Sequence, residues 1–391
     1  MQRLRFKADD GSEFPEWEEK NVEDVCSVST GKGNTQDKVD TGAYRFYVRS
    51  PIIEHSDSYL FDEEAVITVG DGVGTGKVFH YVKGKYNLHQ RCYRMYDFRD
   101  VTGKYFYYFF STNFYRRVKS MSAKTSVDSV RMEMITKMKI LVPCLAEQQK
   151  IAEFLSTIDT VIAKQRETVF AWEERKKGVM QKLFSQEVRF KADDGSDFPE
   201  WENVTVLDLL VQPITDGPHE TPVLEENGVS FVSVEAIDNG RVNLTKRRGF
   251  ISKEYDNVCA KKYKPQLYDV YMVKSGATTG KVAIVTITDD FNIWSPLAAM
   301  RTSSKIEAFF LYYQLQSDMI QNQVWTKLSL GNQPNLGMRA LELFSAVRPC
   351  FAEQQKIADC LSSLDEVIEK RKATLAAWEE LKKGLLQQMF V

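Results

Sequence analysis

Residues 144–184 read CLAEQQKIAEFLSTIDTVIAKQRETVFAWEERKKGVMQKLF, and residues 350–390 read CFAEQQKIADCLSSLDEVIEKRKATLAAWEELKKGLLQQMF. About 24 of the 41 positions are identical, which marks an internal repeat rather than chance likeness. In the first copy the apolar residues fall at Ile151, Leu155, Ile158, Ile162, Val169, Trp172, Val179 and Leu183, a 4-3 alternation interrupted by Gln165 and Lys176. The second copy keeps the seam at Ile357, Leu361, Leu364, Ile368, Leu375, Trp378, Leu385 and Met389, with Arg371 and Lys382 at the interruptions. Such a sustained heptad predicts a helix that packs along its length against another helix. Pro143 and Pro349 stand just ahead of the two stretches, where proline is tolerated at a helix entrance and bars an earlier start.

A helix of about 38 residues is about 57 Å long, so each copy is expected to be a rod rather than a core element. Its seam needs a cover, and the other copy is the candidate. Parallel packing would force the linker after Phe184 to run back along the whole rod. Antiparallel packing avoids this, sets one domain at each end and makes the rods a ruler between two sites.

A second repeat flanks the first. Residues 4–19, LRFKADDGSEFPEWEE, return at 188–203 as VRFKADDGSDFPEWEN, whereas the stretches between the repeats are unlike one another. The expected architecture is α+β: two globular mixed α/β domains, 1–143 and 188–349, separated by long helices, 144–187 and 350–391. The helices pack as an antiparallel coiled coil, and the halves are related by a pseudo-two-fold axis. At 391 residues, 43% hydrophobic and 27% charged, the chain is long enough for two cores. It has neither an apolar run that would span a bilayer nor an N-terminal signal pattern, so a cytoplasmic protein without membrane contact is expected. Cys26, Cys92, Cys144, Cys259, Cys350 and Cys360 form no CxxC pair and are expected to be buried free thiols.

The net charge of −2 conceals an uneven distribution. Residues 75–143 carry about 14 Lys and Arg against 4 Asp and Glu, and residues 241–281 about 10 against 3, the local excess that marks an electrostatic footprint for nucleic acid. Each variable half holds a glycine-rich segment between β-like runs, VGDGVGTGKV at 69–78 and VKSGATTGKV at 273–282. Neither fits a nucleotide-binding P-loop, because Asp71 and Ser275 stand where Gly is needed, and Val78 and Val282 where Ser or Thr is needed. Two readings stay open: a loop whose amides and lysine touch phosphates, or a structural hairpin turn. The aromatic runs 105–110 and 309–313 are contiguous rather than spaced for stacking on bases, and are expected to be core.

Two further loops precede the rods, SAKTSVDSVR at 122–131 and SLGNQPNL at 329–336, and both are rich in side chains suited to base edges. The candidate DNA contacts are therefore Lys77, Arg91, Lys124, Ser126 and Arg131 in the first half. In the second they are Lys246, Arg247, Lys274, Thr278, Lys281, Asn332, Gln333 and Asn335. No catalytic constellation emerges. His55, His80, His89 and His219 have no metal-ligand spacing, and the hydrolase, zinc-peptidase and adenine-methyltransferase signatures are missing, so no metal and no catalytic residue is expected.

The order domain, helix, domain, helix, with EQQKIA at 147–152 and again at 353–358 after a proline, resembles the specificity subunit of Type I restriction-modification systems. The resemblance covers essentially the whole chain. It implies two target-recognition domains, each reading one half of a split, asymmetric site in double-stranded DNA, with the helices setting the unread gap. It further implies partners: two modification (methyltransferase) subunits that methylate adenine after flipping it from the duplex, and restriction (motor-nuclease) subunits. S-adenosylmethionine, ATP and Mg are then cofactors of those partners and not of this chain, which would be a non-catalytic scaffold. Two other classes compete: a nucleotide-dependent enzyme using the glycine loop, and a coiled-coil adaptor without DNA binding.

Overall fold

The repeated Glu-Gln-Gln-Lys at the head of each long helix explains why the peptide of residues 4–19 occurs twice. In a computed structural model of the protein, which describes residues 3–72, 74–121, 129–328 and 334–390, the long helices are Leu145–Phe184 and Phe351–Met389. Glu147 is fully buried and accepts hydrogen bonds from Arg5 Nε (3.2 Å), Arg5 Nη2 (2.9 Å) and Trp17 Nε1 (2.9 Å). Glu353 does the same for Arg189 (3.1 and 2.9 Å) and Trp201 (2.8 Å). A buried carboxylate is tolerable only when paired and hydrogen-bonded, and the repeated peptide supplies the partners. Lys150 reaches the Lys7 carbonyl (2.8 Å) and Asp9 (2.5 Å), and Lys356 the Lys191 carbonyl (2.8 Å) and Asp193 (2.6 Å). Gln148 donates to the Pro143 and Asp100 carbonyls and accepts from the Thr102 amide. Gln354 likewise serves Pro349, Lys305 and the Glu307 amide. The motif is thus a docking head that satisfies the backbone around the helix entrance.

The chain divides into two compact units, Met1–Glu167 with Ala373–Val391, and Thr168–Lys372. Each takes in the first part of one long helix and the last part of the other.

In the first unit a six-stranded sheet runs Ser27–Thr30, Cys92–Tyr96, Phe61–Val69, Phe79–Leu88, Tyr44–Tyr47, Ile53–Ser56. All neighbours are antiparallel except Tyr44–Tyr47 against Phe79–Leu88. Glu18–Asn21 pairs with Lys139–Val142 just before the long helix. The aromatic run 105–110 lies in the helix Gly103–Met121, where Tyr105, Phe106, Phe109, Phe110, Phe114 and Val118 make a buried stripe. The core expectation holds for it.

In the second unit the six-stranded sheet runs Thr215–Asp216, Leu297–Met300, Val270–Val273, Val282–Ile284, Arg241–Val242, Ile237–Asp238, beside a three-stranded sheet Gly249–Ile251, Val229–Val232, Phe291–Ile293. Glu202–Thr205 pairs with Ser345–Arg348, matching the clasp of the first unit. The aromatic run 309–313 lies in the helix Ala308–Gln316, with Phe310, Leu311, Tyr312 and Tyr313 buried.

Within the first unit Asp159 meets Lys382 (2.5 Å) and Arg166 meets Glu379 (2.6 Å), so numbers rise along one helix as they fall along the other. Within the second, Glu173 meets Lys372 (2.9 Å) and Lys176 meets Asp365 (2.6 Å). Both segments pair antiparallel, as the seam predicted. Ile158, Ile162, Val169 and Ile368 are buried, Leu364 is half-buried, and Trp172 and Trp378 are also only half-buried.

The helix heads correct one expectation. Ile151 and Leu155 belong to the core of the first unit together with Met389 and Phe390, and Ile357 and Leu361 to the core of the second with Leu183 and Phe184. The helices are therefore core elements at their ends and rods only between. A second correction concerns the thiols: all six are free, but only Cys26, Cys92 and Cys259 are buried, whereas Cys144 and Cys350 just before the long helices and Cys360 within the second are half-buried.

One further contact is duplicated. The Val188 amide donates to the Lys182 carbonyl (3.2 Å) where the chain leaves the first helix, and the Leu4 amide donates to the Gln388 carbonyl (3.0 Å) at the end of the second. The second contact repeats the first without a covalent link.

Candidate nucleic-acid interface

The glycine segments are hairpin turns. Residues 70–78 join Phe61–Val69 to Phe79–Leu88, and residues 274–281 join Val270–Val273 to Val282–Ile284. Gly72 and Gly76, and their counterparts Gly276 and Gly280, all have positive φ, which explains the spacing. Thr75 Oγ1 donates to the Gly72 carbonyl (2.5 Å) and Thr279 Oγ1 to the Gly276 carbonyl (2.7 Å). The amides of Thr75, Lys77 and Val78, and of Gly276, Thr279, Gly280 and Lys281, already donate to nearby carbonyls. All of these except the Gly276 amide close the turn itself, as the structural hairpin reading expects.

The hairpins nevertheless meet the second pair of candidate loops. Asp71 bridges to Ser129, with the Val130 amide on the Gly70 carbonyl (2.7 Å). At the equivalent place Ser275 bridges to Asn335, with the Leu336 amide on the Lys274 carbonyl (2.7 Å) and the Gly276 amide on the Pro334 carbonyl (3.1 Å). Two segments separated by about 60 residues are joined by the same β-bridge in both units, although their sequences differ.

Cations collect at this junction around one carboxylate. In the first unit Asp71 holds Arg49 (3.2 Å) and Arg91 (2.5 Å). Burial alone would raise the Asp71 pKa, but the hydrogen bonds from Arg91 and Arg49 outweigh it and hold the carboxyl below its usual range. The two guanidinium side chains remain 45% and 61% exposed, so the group keeps a net positive charge and free donors facing solvent. In the second unit the fully buried Asp216 is ringed by Lys262, by Lys274 (3.3 Å) and by His219 Nε2 (3.1 Å). Neither set is aligned with the other in sequence, yet each leaves more cation than anion beside its hairpin.

The candidates distribute as follows. Lys124, Ser126, Asn332 and Gln333 lie outside the described residues. Arg91 is at the junction, and Arg131 and Asn335 are exposed on the bridged loops. Lys77 is exposed at the hairpin with its ammonium 5.0 Å from the Tyr115 ring, and Thr278 is exposed at the tip of the other hairpin. Lys274 is at the junction but only 9% exposed, committed to Asp216. Lys281 turns to the Ile237 carbonyl (2.9 Å), next to Asp238, which pairs with Lys246 (2.8 Å). Arg247 lies over the Phe250 ring (4.1 Å) and donates to the Leu244 carbonyl (2.9 Å).

Sequence reasoning missed Arg49, Lys262 and His219. Arg49 follows the strand Tyr44–Tyr47, ahead of the first basic window, and no local pattern ties it to Asp71. Lys262 lay inside the second window, but its partner Asp216 lies about 46 residues away. Among the described residues there is no group of three or more His, Cys, Asp or Glu that would hold a metal ion, and no helix long and apolar enough to cross a membrane.

Comparison with known proteins agrees with this architecture. The family model for the Type I restriction modification DNA specificity domain matches twice, over residues 15–169 and 200–377. The specificity subunit of the Type I restriction enzyme MjaVIII of Methanocaldococcus jannaschii is 26% identical over 97% of this chain and 94% of its own length. That of the Escherichia coli enzyme EcoDI is 26% identical over 48% of this chain and 40% of its own. Among solved structures, the S subunit of a Type I restriction-modification system from M. genitalium superposes with a TM-score of 0.63 at 13% identity, covering 100% of this chain and 99% of that one. A chain solved in work on complex assembly and conformational transition of the type I R-M system gives 0.51 at 15% identity, covering 96% and 98%. At that identity the likeness speaks for the fold: two sheet-rich domains separated by a long helix. With the domain matched once in each half of a duplicated chain, the protein belongs to the Type I restriction-modification DNA specificity family.

Proposed function

We propose that this chain is the sequence-reading subunit of a Type I restriction-modification complex, that each unit reads one half of a split, asymmetric DNA site, and that it does no chemistry itself. The observation that carries the reading is the repeated junction: a glycine hairpin bridged to the loop before the second-strand clasp, with surplus cations, in two domains whose sequences differ. A shared junction carrying unlike surfaces is what two readers of unlike half-sites require. Residues 1–143 and 188–349 are then the target-recognition domains, and 144–187 and 350–391 the spacers.

The surplus cations supply the sequence-independent attraction to phosphates, and the loops beside them the base contacts. Among the candidates, Arg91, Arg131, Lys77, Thr278 and Asn335 are exposed for such contacts, and Arg49, Lys262 and His219 join them. Lys274 serves by positioning Asp216. Catalysis belongs to partners: two modification subunits using S-adenosylmethionine to methylate adenine, and restriction subunits using ATP and Mg, acting on cytoplasmic DNA. With a net charge of −2, the isolated chain is expected to bind DNA weakly and to rely on its partners for part of the phosphate contact.

The test is to co-express the chain with its cognate modification subunit and map methylated adenines by single-molecule sequencing. A split motif with a fixed gap is expected, and exchanging residues 20–143 for those of another specificity subunit should change one half only. A change in both halves would refute the two-reader assignment.

A further inference from the structure

Each long helix carries one polar node that the repeat preserves and that ties three elements together. In the first unit Asp159 accepts from Lys382 Nζ (2.5 Å) and from Tyr108 Oη (2.7 Å), and Tyr108 also reaches Ser156 Oγ (3.3 Å). In the second unit Asp365 accepts from Lys176 Nζ (2.6 Å) and Tyr313 Oη (2.7 Å), and Tyr313 reaches Ser362 (3.2 Å). The lysine ammonium lies 5.7 Å from the Tyr108 ring in one and 5.1 Å from the Tyr313 ring in the other.

Two features set these nodes apart from surface ion pairs such as Arg166–Glu379. The lysines occupy apolar seam positions and are 15% and 24% exposed, so each forfeits hydrophobic packing to be there. The tyrosine comes from the aromatic helix of the domain, the aspartate from the head of one long helix, and the lysine from the tail of the other. A polar residue in an apolar seam costs stability and in return penalises every register in which it lacks its partner. Here the same carboxylate also fastens the domain, so sliding or rotating one helix breaks the bond to the domain as well.

We propose that Asp159 with Lys382 and Asp365 with Lys176 are positioning residues that fix the axial register of the helix pair, and thereby restrict the complex to one number of unread base pairs between half-sites. This rests on the reading of the chain as a two-site DNA reader. A plain hydrophobic seam of Ile and Leu resists separation but discriminates weakly between neighbouring alignments. The node supplies the discrimination, once in each unit.

The test uses the complex assembled with the cognate modification subunit, with methylated adenines mapped genome-wide. The variant Lys176→Met with Lys382→Met keeps the aliphatic stems and removes both charges. The half-site bases should stay the same, while methylation at sites whose gap is about three base pairs longer or shorter, the step of a one-heptad slip, rises at least tenfold over wild type. Lys176→Arg with Lys382→Arg, which retains the charge, should return methylation to a single gap. Methylation confined to the original gap in the assembled Met variant would overturn the proposal. Should that variant not assemble, Lys176→Met and Lys382→Met alone each leave one node intact and carry the same expectation at smaller amplitude. Loss of all methylation in both would overturn it by making the nodes purely structural. A control separates failure of the underlying reading: deleting residues 165–171 and 371–377 shortens each helix by about 10.5 Å, about three base pairs of duplex. If that gap shifts while the Met variant stays strict, the spacer is a ruler and the nodes are not its lock; if neither changes, the two-site reading itself fails.

Discussion

Replacing Glu147 by Gln perturbs one docking head and leaves its twin as an internal control. The carboxylate is fully buried and receives two guanidinium bonds from Arg5 and one indole bond from Trp17. Gln keeps the shape and one acceptor, but turns its amide nitrogen, a donor, toward groups that are themselves donors. Arg5 is not stranded, because it also donates to the Phe14 (3.0 Å) and Pro15 (2.5 Å) carbonyls. The change therefore weakens charge-assisted bonds to neutral ones and leaves one donor unmatched, a loss of about 2 kcal/mol. The loss falls on docking of the N-terminal peptide rather than on the sheet core. Local opening there should be about 30-fold more frequent. Hydrogen exchange read by mass spectrometry should show that acceleration in peptides covering residues 4–16, with residues 188–200 unchanged. Glu353→Gln should give the mirror image. Equal acceleration in both peptides, or less than threefold in the targeted one, would refute the assignment of the motif as a docking head.

Arg49→Gln with Arg91→Gln should reduce the slope of log affinity against log salt by about 1.8 for duplex DNA bound to the assembled complex, at about 0.9 per cation; an unchanged slope removes the Asp71 junction from the interface. Cys26 and Cys92 have their thiol pKa pushed up to about 12 by burial, so at pH 8 both should resist alkylation until the chain unfolds, while the half-buried Cys144 and Cys350 label in the native protein, as peptide mass spectrometry can show. Asp256 is held below the usual carboxylate range because, against the cost of burial, Lys264, Asn292 and Lys253 bond to it, and Asp290 is lowered chiefly by Lys264. A depressed folded-state pKa stabilises the fold above the unfolded value near about 3.9 and is lost as pH falls through the folded one. Urea melts should therefore show the second unit weakening below about pH 4, and Lys264→Met should flatten that dependence; a Lys264→Met profile as steep as wild type would exclude these pairs as its source.

The long helices and their antiparallel pairing were legible because a heptad seam is a local, periodic signal and because the repeat allowed the halves to be compared. The glycine hairpins were visible too, but whether their amides were free depended on the turn's own hydrogen bonds, which Thr75 and Thr279 complete. What stayed hidden was long-range. That Glu147 and Glu353 are buried acceptors follows from a peptide more than 100 residues earlier, and that Arg49 joins Arg91 follows from sheet order. Acidic residues misled by their place and sign: Asp71 and Asp216 lie outside both basic windows, yet they hold the cations that make the junction positive. Lys176 and Lys382 looked like flaws in the seam, and only the facing Asp365 and Asp159 give them a reason.

The Leu4–Gln388 contact, which repeats Val188–Lys182 without a peptide linkage, means that the step from a long helix to the repeated peptide is held by packing and does not need the covalent chain. Either half ends on the same surface chemistry with which the other begins, so a genetic crossover within the repeated stretches would transplant a whole reader and meet native packing on both sides. New combinations of half-sites would then arise by recombination rather than by gradual substitution.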